Sequence, residues 1–217
     1  MYNKTCMKKY IARLFTRESY VYVAIGDSAT EGMGSSVPDR SFAGVVADYL
    51  RQHKKRLAYH NLGKSGAPTR DILTNQLDRA IALNPDLVTI SAGVNDIRAF
   101  STPWRFKKDL QMLIDRLQRE TNAEIVLNNI PDFSITPRVP RCLKGISRFA
   151  IRRFNVIIQD VVTNSKVILV DLFNMSSLFG KKYPEIIAQD RFHPSDFGYA
   201  LWANTIITCL TLKQNKK

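Results

Sequence analysis

With 217 residues, 45% of them hydrophobic, the chain is long enough for one well-cored domain, and no apolar run approaches the roughly 20 residues of a membrane span. A formal net charge of +13 attracts anions in general, whether nucleic acid, lipid headgroups or acidic substrates, without choosing among them. Three widely spaced cysteines, Cys6, Cys142 and Cys209, fit neither a disulfide frame nor a zinc site and read as reduced thiols.

Residues 1–19 form a basic arm with Lys4, Lys8, Lys9, Arg13 and Arg17, and with Tyr10, Ile11, Leu14 and Phe15 at helical spacing. The arm lacks the continuous apolar run of a secretory signal, so a cytoplasmic location is expected. A single domain is expected over 20–212, followed by a basic tail, 213–217, that contains Lys213, Lys216 and Lys217. Tyr20 to Ile25 is β-branched, aromatic and apolar, and reads as a buried strand. Gly26-Asp27-Ser28 ends it. A helix follows from about Ser41, with Phe42, Val45, Val46, Tyr49 and Leu50 on one stripe. Leu57 to Leu62 is a short second strand, followed by the small-residue loop Asn61-Leu62-Gly63-Lys64-Ser65-Gly66-Ala67.

A helix from about Thr69 turns Ile72, Leu73, Leu77, Ala80 and Ile81 inward, and Asp86 to Ser91 is the third strand. The turn Gly93-Val94-Asn95-Asp96 lies directly beyond it. A helix from about Pro103 carries Phe106, Leu110, Leu113, Ile114 and Leu117 inward. Glu124 to Asn129 is the fourth strand. Residues 130–145 contain Pro131, Pro137 and Pro140 and read as an irregular connection. A helix with Ile151, Phe154, Ile158, Val161 and Val162 comes next, then a fifth strand over Lys166 to Asp171. An irregular stretch leads to Asp190-Arg191-Phe192-His193-Pro194-Ser195, and a last helix begins near Ser195 as N-cap. Strands alternating with amphipathic helices predict an α/β fold: a three-layer α/β/α sandwich with about five parallel strands in the flavodoxin-like order 2-1-3-4-5.

In such a sheet the turns after successive strands open at one edge, where ligands bind. Ser28, the Gly66 N–H and the Asn95 carboxamide would meet there as a nucleophile with oxyanion donors. Each alone is also an ordinary loop residue. Ser28 fits neither the dinucleotide fingerprint, the Walker loop nor the G-x-S-x-G elbow. The hydroxyl needs a base. His53 lies in the basic run Arg51–Arg56 and His60 inside a strand, which leaves His193. Asp190, three residues earlier, shares one turn with it and can hold the ring, although an isolated pair of this spacing is more often a cap or a surface ion pair.

The four blocks together, Gly26-Asp27-Ser28, Gly66, Gly93-Val94-Asn95-Asp96 and Asp190-Arg191-Phe192-His193, resemble those of the SGNH hydrolases, the GDSL-type lipase and esterase superfamily, over about residues 20–210. The resemblance implies that Ser28 is nucleophile and, through its N–H, oxyanion donor. It implies that Gly66 and Asn95 complete the hole, that His193 is the base and that Asp190 is its partner. The family's leucine after the serine is here Ala29. No cofactor and no metal are implied.

Trp104, Phe133 and Ile135 are candidates for lining a substrate pocket. Arg138, Arg141, Lys144, Arg148, Arg152 and Arg153 form an acid-free basic segment. It reads either as a solvated helix face or as a rim for an anionic acyl ester, a thioester or phospholipid headgroups. The expected partner is a small-molecule ester. No nucleic acid is expected, peripheral contact with anionic lipid is open, and the sequence does not set an oligomeric state. The rival readings are acyl transfer to, or deacetylation of, a carbohydrate or other alcohol by the same residues, and a basic binding module with a vestigial site.

Overall fold

The computed structural model describes residues 19–163 and 165–214. Most of the basic arm, Cys6 and residues 215–217 lie outside the described residues. Five parallel strands form one sheet in the order β2-β1-β3-β4-β5: β1 Tyr20–Gly26, β2 Leu57–Asn61, β3 Leu87–Ser91, β4 Glu124–Asn128 and β5 Ile168–Val170. This is the predicted order. Registers such as Val23 beside His60 and Ile25 beside Ile90 bring the carboxyl ends of the strands to one edge.

Side chains alternate across β1 because successive residues of a strand point to opposite faces. Val21, Val23 and Ile25 join one core, with Ile72, Leu77, Leu110, Leu113, Ile151 and Ile158. Tyr22 and Ala24 join the other, with Phe42, Val46, Tyr199, Trp202 and Ile206. One face is therefore covered by the helical stretch 69–82 (α3), by Pro103–Glu120 (α5) and by Lys144–Val162 (α6), and the other by Phe42–His53 (α2) and Asp196–Gln214 (α8). Helix α3 is built of three consecutive pieces, Thr69–Asp71, a π-helical turn Ile72–Gln76, and Leu77–Ala82. Two short helices, α1 Ser28–Glu31 and α4 Val94–Arg98, start at the turns after β1 and β3. Ser41 caps α2 by accepting the Gly44 N–H at 3.1 Å, and Ser195 caps α8 through Gly198 at 3.3 Å.

Two expectations need correction. The stretch after β5 is not irregular: α7 spans Leu172–Lys182, capped by Asp171, which accepts the Asn174 N–H at 3.1 Å. Leu172, Phe173 and Met175 pack on the cores, but Ser176 and Gly180 also face inward and Leu178 is exposed, so the apolar stripe is broken. A Cβ on Gly180 would lie 2.1 Å from Ile135, which is why that position must be small. Lys213 is not part of a loose tail. It lies in α8 and pairs with Glu124 at 3.1 Å.

The basic segment also separates into distinct roles. Arg148 Nε lies 3.3 Å from the fully buried Asp132 carboxylate, which also accepts hydrogen bonds from Ser134 and Ser177. Asp132 N–H donates to Ser176 at 2.7 Å, so this cluster ties the 130–143 connection to α6 and α7. Arg148 is thus structural, neither a solvated nor a rim cation. Arg148→Gln would strip a buried carboxylate of its cation, and should cost roughly 2 kcal/mol, between the exposed and fully buried limits. A denaturant midpoint unchanged by the substitution would contradict this assignment.

Candidate active site

The site is assembled at the carboxyl edge of β1 and β3. Gly26 ends β1 at φ +152, and a Cβ there would sit 2.2 Å from Thr30 Oγ1 and 2.5 Å from the Ser91 carbonyl, so only glycine fits. Gln76, buried in the π-helical turn of α3, clamps the Gly26 peptide from both sides, accepting its N–H and donating to its C=O, each at 2.8 Å. Asp27 caps α1 by accepting the Ala29 N–H at 3.1 Å. Ser28 opens that helix, half-buried, with its side chain toward the final loop.

Ser28 Oγ lies 3.0 Å from His193 Nε2. His193 Nδ1 is hydrogen-bonded to Asp190 Oδ2, and the other oxygen of Asp190 accepts the N–H groups of Phe192 and His193 at 2.9 Å each. Partial burial alone would raise the Asp190 pKa. These three hydrogen bonds, with the His193 imidazole foremost, outweigh it and hold the carboxyl below its usual range. The turn places Arg191 in the left-handed region at φ 66, a strained backbone at the point where the loop reverses.

The oxyanion candidates converge on the same edge. Gly66 has φ +79, and the place where a Cβ would stand is open space. Among the described residues, neither the Ser28 N–H nor the Gly66 N–H donates to an acceptor. Asn95 is buried at the start of α4 and spends one Nδ2 proton on the Ala67 carbonyl at 3.2 Å, which leaves the other.

Several supporting residues left little trace in the sequence. Asp96 accepts both the N–H and the hydroxyl of Thr69, at 2.9 and 2.8 Å, and so ties the Asn95 turn to the Gly66 loop. Burial raises its pKa against those bonds. Glu31 accepts the Ser65 N–H at 2.6 Å. Asn61 donates to Thr30 C=O at 2.7 Å. Only the polarity of Gln76 among apolar helix positions could have signalled its role.

Two recesses lie on this side of the molecule, and His193 lines the first of them. An open cleft of about 300 Å³ is lined by Arg98, Phe133, Arg138, Leu143 and Phe192, together with His193 itself. Behind it a small apolar cavity of about 60 Å³ includes Ile135, Met175, Ile186, Leu201 and Trp202. Phe133 and Phe192, ring centroids 6.0 Å apart, wall both. Of the sequence candidates, Phe133 thus borders the cleft, and Ile135 lies one layer behind it. Trp104 lies outside both recesses: it is 71% exposed near the start of α5, under Lys108. Its place next to the Asn95 turn in sequence does not carry it to the cleft; it lies instead beside Lys107, Arg153 and Val156. His53 is exposed and bonded to Tyr49 C=O. Among the described residues no group of three or more His, Cys, Asp or Glu side chains is placed to hold a metal ion, and no helix is long and apolar enough to cross a membrane.

Comparison with known proteins places this arrangement. The chain is 28% identical over 202 residues to an acetylxylan esterase of Geobacillus stearothermophilus, covering 84% of this chain and 90% of that one. Its fold is similar to that of LAE5, an α/β hydrolase from the metagenome of Lake Arreo, Spain, with a TM-score of 0.72 at 22% identity over 88% of this chain and 94% of that one. It is also similar to the acetyl xylan esterase AlAXEase, with a TM-score of 0.71 at 20% identity over 87% and 98%. The model of the GDSL-like lipase/acylhydrolase family matches residues 24–201, the span that holds all four motif blocks, and the chain belongs to that family of SGNH-type ester hydrolases.

Proposed function

We propose that the chain is a serine esterase that releases short acyl groups, acetyl foremost, from an alcohol through an acyl-enzyme on Ser28. The observation that carries this reading is the hydrogen-bond chain from Ser28 through His193 to Asp190, set beside the undonated Ser28 and Gly66 N–H groups. Ser28 Oγ attacks the ester carbonyl while its proton passes to His193 Nε2. The developing oxyanion is met by the N–H groups of Ser28 and Gly66 and by Asn95 Nδ2. Collapse expels the alcohol, which takes the proton from His193. Water, deprotonated by the same nitrogen, then attacks the acyl carbon and frees Ser28. The 28%-identical acetylxylan esterase among its relatives supports acetyl as the acyl group.

A panel of p-nitrophenyl esters from acetyl upward tests this, run beside a thioester and an acetylated xylo-oligosaccharide. Turnover should be highest on acetyl and fall with chain length. The same panel with added alcohol acceptors addresses transfer: an acetylated acceptor in place of free acetate would make the chain an acyltransferase.

Asn95→Ala should lower kcat about 10²–10³-fold with a smaller change in KM, because an oxyanion donor acts mainly in the transition state. If kcat stayed within twofold while KM rose, Asn95 would be a ground-state binding residue instead.

A further inference from the structure

Helix α6 buries one side in the core through Ile151, Phe154, Ile158 and Val162, but its outer side is not the polar surface such a helix ordinarily shows. Ile146, Phe149 and Val156 are 69%, 66% and 69% exposed, and with Arg153 they recur at i, i+3, i+7 and i+10 along one line. Ten residues of helix make that line about 15 Å long. Trp104 extends it onto α5, sharing a hollow with Arg153 and Val156. At the other end Leu143, 47% exposed, reaches the cleft beside His193. Large apolar side chains gathered in this way mark a surface that is covered in use.

The charges around the line say what covers it. Lys108 on α5 and Arg152 and Arg153 on α6 flank it. The two nearby carboxylates are neutralised: Asp160 is bound by Lys107, and buried Asp109 by Arg70 at 2.9 Å. A second copy of the same face would bring cation against cation. Residues 1–18, with five Lys or Arg and one Glu, would do the same. An anionic surface is complementary to it. Apolar side chains between long basic ones on an exposed helix face suit the headgroup boundary of a bilayer, where Lys and Arg stems reach out to the lipid phosphates.

We propose that the face formed by Trp104, Ile146, Phe149 and Val156 is a docking surface for an anionic phospholipid bilayer, which would hold the mouth of the cleft at the membrane. This stands apart from the ester chemistry, which a soluble ester reports separately. The full chain is mixed with vesicles of pure phosphatidylcholine, or of equal parts phosphatidylcholine and phosphatidylglycerol, and followed by co-sedimentation and tryptophan emission. Of the two tryptophans, Trp202 is buried, so Trp104 is the surface reporter. Binding to the anionic vesicles should be at least tenfold stronger than to the neutral ones, with a blue shift and loss in high salt. The double variant Ile146→Glu/Phe149→Glu should bind at least tenfold more weakly, with p-nitrophenyl acetate turnover unchanged. Failure to bind anionic vesicles, equal binding to both kinds, or undiminished binding of the double variant would overturn the proposal. So would self-association that the double variant abolishes in the absence of vesicle binding, since the occupant would then be a second copy.

Discussion

Ser28→Ala is expected to abolish ester turnover while leaving stability nearly unchanged. The hydroxyl is the attacking atom, and among the described residues its hydrogen-bond partner is His193 Nε2 at 3.0 Å, which lines an open cleft where water can replace the lost hydroxyl. The residue opens α1, whose cap is Asp27, and alanine is a good helix former at that place. Turnover on p-nitrophenyl acetate should fall by about 10⁶-fold, to the level left by binding and oxyanion stabilisation. Calorimetry should show a melting temperature within about a degree or two of wild type. Substantial turnover by a folded Ser28→Ala protein would rule out the acyl-enzyme on this residue.

Asp190→Asn should cost roughly 10⁴-fold in kcat. The carboxamide oxygen can still accept the Phe192 and His193 N–H groups, so the turn survives. The amide nitrogen then faces His193 Nδ1, where a carboxylate oxygen was, and donates to it. The imidazole proton is driven to Nε2, the nitrogen that must accept from Ser28. In wild type, kcat/KM should rise with pH, because only the neutral ring is a base. Asp27 is a second group to consider there. Burial pushes its carboxyl up to about 6, against hydrogen bonds from the Ala29 N–H and Ser91. Its folded pKa is raised, so the stability it lends is present at low pH and is lost as pH rises through about 6. A pH–rate profile that keeps its limb in Asp27→Asn and loses it in Asp190→Asn assigns the limb to His193. A flat wild-type profile would remove His193 as base. A nearly silent Asp190→Asn would leave His193 in place but without need of that carboxylate.

The architecture was legible in the sequence because burial imposes its period on residues that are close in the chain. Alternation in 20–25, the stripe Phe106-Leu110-Leu113-Ile114-Leu117 and the polar turns after each strand are local patterns, and they predicted the sheet order and the edge at which the turns open. The blocks around Ser28, Gly66, Asn95 and His193 were legible for the same reason: each is a short motif at the end of a strand or the start of a helix. What the sequence could not determine depends on residues far apart in the chain. Helix α7 hides because its apolar stripe is broken, in part by a bulky neighbour, Ile135, which requires a glycine at Gly180. Arg148 reads as one cation in a basic run until the fold seats it on Asp132, sixteen residues earlier. Trp104 reads as a pocket residue until the fold sets it on the surface beside Arg153 and Val156. Gln76 is unremarkable until the π-helical turn points it at Gly26, fifty residues away. Periodicity records whether a position is buried, but which partner meets it, and whether that partner is a charge, a ring or a peptide group, is settled only when the strands and helices pack.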